Sequence, residues 1–212
     1  MDMKRTSFAI IFACFALAMV AQNAIRVNYK GSKPTISDFA WAYLSDYVYD
    51  ENEDCCLDEV RNGVKNAWLL HRKGAPQKEG ETLIVDNKDG YAVFEHNSEY
   101  ESVKDLCKVE MCYWNEADGK HCLFAYNVSC YTNGKYSPGQ FDGIQFYRYN
   151  KATKKMTQCE VPGFGSAITT EDGAYISYSL PRTGKNITVT YWYDNGTKKQ
   201  KTLKWTGRKF SF

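Results

Sequence analysis

CKVEMCYWNEADGKHCLFAYNVSC, residues 107–130, decides how the larger part of this chain folds. Asp118-Gly119 is a turn dipeptide, and apolar residues alternate on either side of it, as in strands of a half-buried sheet. With Asp118-Gly119 at the centre of a two-residue turn, Val109 opposes Val128, Met111 opposes Tyr126 and Tyr113 opposes Phe124. Apolar side then meets apolar side, whereas a slip of one residue sets Val109 against Asn127. The same register puts Cys107 opposite Cys130, the pair expected to form a disulfide. A two-residue turn makes it a hydrogen-bonded pair, the wider of the two antiparallel spacings.

The same grammar recurs outward from this hairpin. Strands are expected over 82–86, 90–95, 107–114, 121–131, 143–149, 155–160, 174–180, 186–193 and 198–205, with a last one at 208–212. Lys88-Asp89-Gly90, Asn133-Gly134, Asp172-Gly173 and Asn195-Gly196 punctuate them at hairpin spacing, so the pairing is antiparallel. In the last hairpin, a type I turn at Asp194-Asn195 with Gly196 as a bulge sets Ile187 opposite Leu203 and puts Val189 and Trp205 on one side. A tight Asn195-Gly196 turn would pair Ile187 with Lys204 instead. Lys198, Lys199 and Lys201 then line a sheet rim, where charge discourages edge-to-edge association.

Upstream the period becomes helical. Ile36, Phe39, Ala40, Tyr43, Leu44 and Tyr47 share one face, with Thr35 or Ser37 as cap and Asp38 in the first turn. Leu57, Val60, Val64, Ala67 and Trp68 predict a second helix that fades at Gly74-Ala75-Pro76. The expected fold is one α+β domain over 35–212, preceded by an extended lead-in at 22–34. In it, two short N-terminal helices pack on an antiparallel meander of about eight to ten strands.

The first residues concern compartment. Lys4 and Arg5 precede an uncharged, almost wholly apolar run from Phe8 to Val20, with small residues at Ala16, Ala18 and Ala21. This predicts a signal peptide at 1–21, because the apolar run is too short to cross a ~30 Å hydrocarbon core comfortably. The expected product is exported (periplasmic, cell-surface or secreted), with no transmembrane segment after cleavage. Of the eight cysteines, Cys14 leaves with the signal, so an odd number remains, and some pairing is expected in an oxidising compartment.

Charged residues are 25% of the chain and aromatics 15%, a globular, strand-favouring composition. A net charge of +2 argues against a dedicated nucleic-acid binder. The charge is uneven: eight acids and no bases lie between Ile36 and Val60, and eight bases against Asp194 alone lie from Arg182 onward. These are two solvated faces that partly compensate each other, or a dipolar surface that steers a charged partner.

Candidate chemistry is sparse. The loop from Asp50 to Arg61 has the outline of a calcium loop but carries Cys55 where Gly is needed and Arg61 where a bidentate carboxylate is needed. A Cys55 or Cys56 thiolate at a helix start with His121 is the nearest approach to nucleophilic catalysis, and no pattern brings them together. Cys107 and Cys112 point to opposite faces of one strand, which excludes a shared zinc. Glu171-Asp172 belongs to a turn, and no glycine-rich phosphate cradle opens a helix. No catalytic residue, metal or cofactor is expected. Tyr191-Trp192-Tyr193 remains as the candidate ligand-binding stretch, since its middle ring points opposite to its neighbours and aromatic faces bind sugars and peptides. The alternative is an aromatic core covered on both sides.

Tyr113-Trp114-Asn115-x-x-Asp118-Gly119-Lys120 with Leu123 and Ala125, Phe146-Tyr147-Arg148-Tyr149-Asn150-x-x-Thr153, Leu180-Pro181-Arg182-x-Gly184-Lys185, and Trp205-x-Gly207 with Phe210 carry a resemblance. Over about residues 80–212 the chain resembles uncharacterised exported proteins of Bacteroidetes-type bacteria. That implies a bacterial periplasmic or outer-surface location and carries over no catalytic residue. The expected function is non-catalytic binding of a partner protein, peptide or glycan. A cysteine- or carboxylate-based hydrolase and a structural envelope component are the alternatives.

Overall fold

The computed structural model describes residues 24–46, 56–138, 142–167 and 173–212. The signal peptide expected at 1–21, residues 50–55 of the acidic loop, and Glu171-Asp172 lie outside them.

The 22–34 lead-in contains a short strand, β1 (Ile25–Arg26), which precedes both helices, α1 (Ile36–Asp46) and α2 (Cys56–Arg72). Thr35 is the cap of α1: its backbone N–H and hydroxyl both donate to Asp38 Oδ2, at 2.7 and 2.8 Å, satisfying an orphan donor of the helix start. The helices lead into β2 (Glu81–Asp86), β3 (Tyr91–Tyr100), β4 (Val103–Asn115), β5 (His121–Thr132), β6 (Lys135–Tyr136), β7 (Gly143–Asn150) and β8 (Lys155–Gln158). These strands and β1 form one antiparallel sheet in the order β1-β8-β7-β5-β4-β3-β2, with β6 pairing on β5. A helical turn, α3 (Phe164–Ala167), then carries the chain to β9 (Ala174–Ser179), β10 (Ile187–Tyr193), β11 (Lys198–Trp205) and β12 (Phe210–Ser211), a second sheet of order β12-β11-β10-β9. Among the described residues no helix is long and apolar enough to cross a membrane.

The α+β class and antiparallel pairing are as expected, but two sheets replace the single meander. The reason lies in β4 and β5. Val109, Met111, Phe124, Tyr126 and Val128 face the helices, where Phe39 lies 4.9 Å from Tyr113 and 5.0 Å from Tyr149, ring to ring, and Tyr43 4.6 Å from Tyr126. The other face is apolar too: Cys112, Trp114, Leu123, Ala125 and Phe146 meet Ile187, Val189, Tyr191, Leu203 and Phe210 of the second sheet. A sheet greasy on both faces is stable only between two covers.

Two turns decide the details. The last hairpin has the bulged form, with Ile187 opposite Leu203, Gly196 at φ +82° and Gly196 N–H bonded to Tyr193 O. The Asp118-Gly119 hairpin keeps its expected facing pairs, Val109 with Val128 and Cys107 with Cys130. Its turn, however, is wider than expected. Gly119 N–H bonds Glu116 O and Glu116 N–H bonds His121 O, both at 3.1 Å, so a type I turn sits inside a four-residue loop. The facing residues are unchanged, yet the hydrogen-bonding phase is reversed. Glu116 with His121, and Lys104 with Asn133, are bonded pairs. Cys107 with Cys130 is therefore a non-hydrogen-bonded pair, where Cα atoms approach to about 4.5 Å instead of about 5.5 Å.

Candidate functional site

Of the three aromatics singled out in β10, Tyr191 lies wholly inside the core between the sheets, while Trp192 and Tyr193 are half-buried. Strand alternation sends Trp192 to the other face, where its indole Nε1–H donates to Ser177 Oγ at 2.8 Å. Two rings that sequence reasoning missed meet it there. Trp192 is 6.1 Å, centre to centre, from both Tyr131 at the end of β5 and Tyr136 of β6, and these two are 5.7 Å apart. Tyr136 and Trp192 are roughly parallel, and Lys198 Nζ stands 5.4 Å from the Trp192 ring. Tyr175, directly opposite Trp192 on β9, is 52% exposed. Burial first, and then the Asp142 carboxylate hydrogen-bonded to it, push the Tyr136 phenol up, so it stays a neutral donor at any ordinary pH.

The cluster adjoins an open cleft of about 360 Å³ whose walls include Tyr131, Leu106, Asn97, Glu95, Lys104 and Lys108. Asn97, Leu106, Tyr131 and Tyr136 are neighbours across β3, β4, β5 and β6. One sheet row thus joins the cleft to the rings, with amide and charged groups at the margin. No local signal joins these residues, since Tyr131 and Trp192 lie on different sheets. Asn133-Gly134 signalled only the turn that lets β6 fold back on β5.

The cysteines expected to pair stand opposite each other as free thiols. Cys130 donates its backbone N–H to Asp142 Oδ2 at 2.9 Å and accepts Ser137 N–H on its carbonyl, so its backbone groups face away from β4. A hydrogen bond from the Cys130 thiol favours the Cys107 thiolate and holds that thiol's pKa below the usual range. Cys130 is pushed up, because its proton is committed to Cys107 and it is buried beside Asp142. Cys112 lies on the opposite face from Cys107, as the strand period requires.

Cys55 and the Cys56 side chain, expected as candidate nucleophiles with His121, lie outside the described residues, and the described partners of His121 are Asp118 and Asn150. The His121 Nδ1 contacts Asp118 Oδ2 at 2.5 Å, and its Nε2 contacts Asn150 Nδ2 at 3.3 Å. The Asn150 amide orientation follows from its oxygen accepting Ala152 N–H and Thr153 N–H. The His121 hydrogen bond holds Asp118 down at about 2. Glu116, Asp118 and His121 bring their ligand atoms within 4.8 Å of one another, the one such group among the described residues. Glu116, however, is clasped by Arg148 through two bonds of 2.7 Å, and His121 is engaged on both nitrogens. The cluster is internally satisfied, and it fits a hairpin-end clasp better than a cation site.

Comparisons with protein-family models, with curated proteins and with solved structures each found no match.

Proposed function

We propose that this is a non-catalytic exported binding protein whose ligand lies across Trp192, Tyr131 and Tyr136 and extends into the adjoining cleft. The observation that carries this reading is the convergence of three half-buried rings from both sheets beside polar cleft walls. Ring faces of this kind offer apolar area with little side-chain entropy to lose, and Asn97, Glu95 and Lys104 supply hydrogen-bonding groups at its edge. A glycan, with one apolar ring face and a polar rim, matches this best; an extended peptide or a partner's loop uses the same chemistry. The bacterial envelope is the setting in which the exported chain would meet such ligands.

The experiment is a screen of the mature protein against glycan and peptide arrays, followed by titration of Trp fluorescence with any hit. Trp192→Ala and Tyr131→Ala are expected to weaken binding at least tenfold, about 1.4 kcal/mol. Tyr191→Phe, which alters only a core hydroxyl, is expected to leave it unchanged. A ligand whose affinity is indifferent to both alanine variants overturns the proposal.

A further inference from the structure

We infer that Cys107 and Cys130 constitute a reversible dithiol–disulfide site that exchanges with small neutral disulfides, Cys107 being the sulfur that attacks. Three observations carry this. The two residues face each other as a non-hydrogen-bonded antiparallel pair, a placement whose typical Cα spacing of about 4.5 Å lies within the range a disulfide spans. The pair is also the one couple of facing cysteines among the described residues: Cys112 faces Ala125, and Cys122 faces Asn115 and donates to its side-chain oxygen. Finally, both thiols are half-buried but differ in the clefts they line. Cys107 lines two clefts, about 270 and 170 Å³, each shared with His96, whereas Cys130 lines only the smaller of them and has Asp142 against it.

The Cys130 S–H, donated to Cys107, stabilises a thiolate there, while that same hydrogen bond, then burial and the Asp142 carboxylate, disfavour a thiolate on Cys130. The first step is attack by the Cys107 thiolate, its proton having gone to solvent, on one sulfur of the small disulfide. A mixed disulfide forms and one small thiolate leaves. Cys130 then loses its proton to solvent and attacks the Cys107 sulfur, forming the Cys107–Cys130 bond and releasing the second small thiolate. Both leaving groups take up protons. Overall, two protein thiols and one small disulfide become one protein disulfide and two small thiols, and an excess of small dithiol drives the reverse.

The test uses bis(2-hydroxyethyl) disulfide as the probe on the mature protein, with peptide mapping by mass spectrometry. The wild type is expected to acquire the Cys107–Cys130 bond and to regain both thiols with dithiothreitol. Cys130→Ser is expected to stop at a stable adduct on Cys107. Cys107→Ser is expected to form an adduct on Cys130 about tenfold more slowly or less. A brief iodoacetamide pulse on the native wild type gives a readout independent of either variant's folding, and Cys107 should be labelled ahead of Cys130. Equal adduct rates in the two variants, Cys130 labelled first, or a wild type that ends as separate adducts without the internal bond would each overturn the inference.

Discussion

Glu110 is 2% exposed, and it sits where the two sheets meet. Its Oε1 accepts from the Tyr91 hydroxyl at 2.8 Å and pairs with Lys108 Nζ at 3.1 Å. Its Oε2 accepts from Leu180 N–H at 3.3 Å and from Asn127 Nδ2 at 3.4 Å, while that same Nδ2 donates to Tyr178 O at 3.0 Å. The carboxylate thus ties β3 and β4 to the end of β9, binding one sheet to the other. Burial, then the neighbouring carboxylate, push the Tyr91 phenol up, so it remains a donor. Glu110→Ala strands the Tyr91 hydroxyl and the Leu180 N–H inside, at about 1–3 kcal/mol each. Lys108 is partly exposed and re-solvates, adding little. The expected destabilisation is about 4 kcal/mol, within the range for breaking a buried pair. Urea unfolding followed by Trp fluorescence measures it as a fall in midpoint at constant slope. Tyr91→Phe alone should cost about 1 kcal/mol, and the double variant should cost less than the sum, because the stranded hydroxyl is gone. A loss under about 1 kcal/mol for Glu110→Ala, or strict additivity with Tyr91→Phe, would refute the claim that this carboxylate clamps the sheets.

Asp118, held at about 2 by His121, is depressed relative to its unfolded value. The stability it contributes is therefore present above about pH 4 and is lost as pH falls toward about 2. Melting curves of wild type and Asp118→Asn should differ at pH 7 and converge near pH 2; a gap that persists in acid contradicts this. The turn between β3 and β4 places Glu101 at φ +47° and Ser102 at φ +69°, both left-handed without a glycine. The pair Glu101→Asn and Ser102→Gly should raise stability by about 0.5–1 kcal/mol in urea unfolding, and a decrease would argue against this turn geometry. Gly163 has φ +78°, and a Cβ there would lie 2.1 Å from Phe210 O. Gly163→Ala is expected to cost about 3 kcal/mol by thermal melting, with the loss concentrated at β12 in hydrogen exchange; a neutral substitution rules out the close approach.

Local chemistry made much of the strand layout legible. Period-two alternation and turn dipeptides located β2, β4, β5, β7, β10 and β11 to within a few residues at most, because side-chain direction along a strand depends only on neighbouring residues. The bulged Asn195-Gly196 hairpin was legible for the same reason. The Glu101-Ser102 turn was not, since neither residue is a usual left-handed one, and β3 and β4 accordingly run on beyond the expected ends.

By itself the sequence determined which residues face one another across the Asp118-Gly119 and Asn195-Gly196 hairpins, because complementary apolar sides favour the register that buries both. The tertiary structure alone decided what covers each side of the central strands and which distant residues share a surface. Helices cover one face of β4 and β5 and a second sheet covers the other. The gathering of Tyr131, Tyr136 and Trp192 at one surface follows from how the two sheets dock, which no periodicity within either segment encodes. Even the spacing of Cys107 and Cys130 depended on a single backbone choice at the Glu116–Gly119 turn, which reversed the hydrogen-bonding phase while leaving every facing pair unchanged.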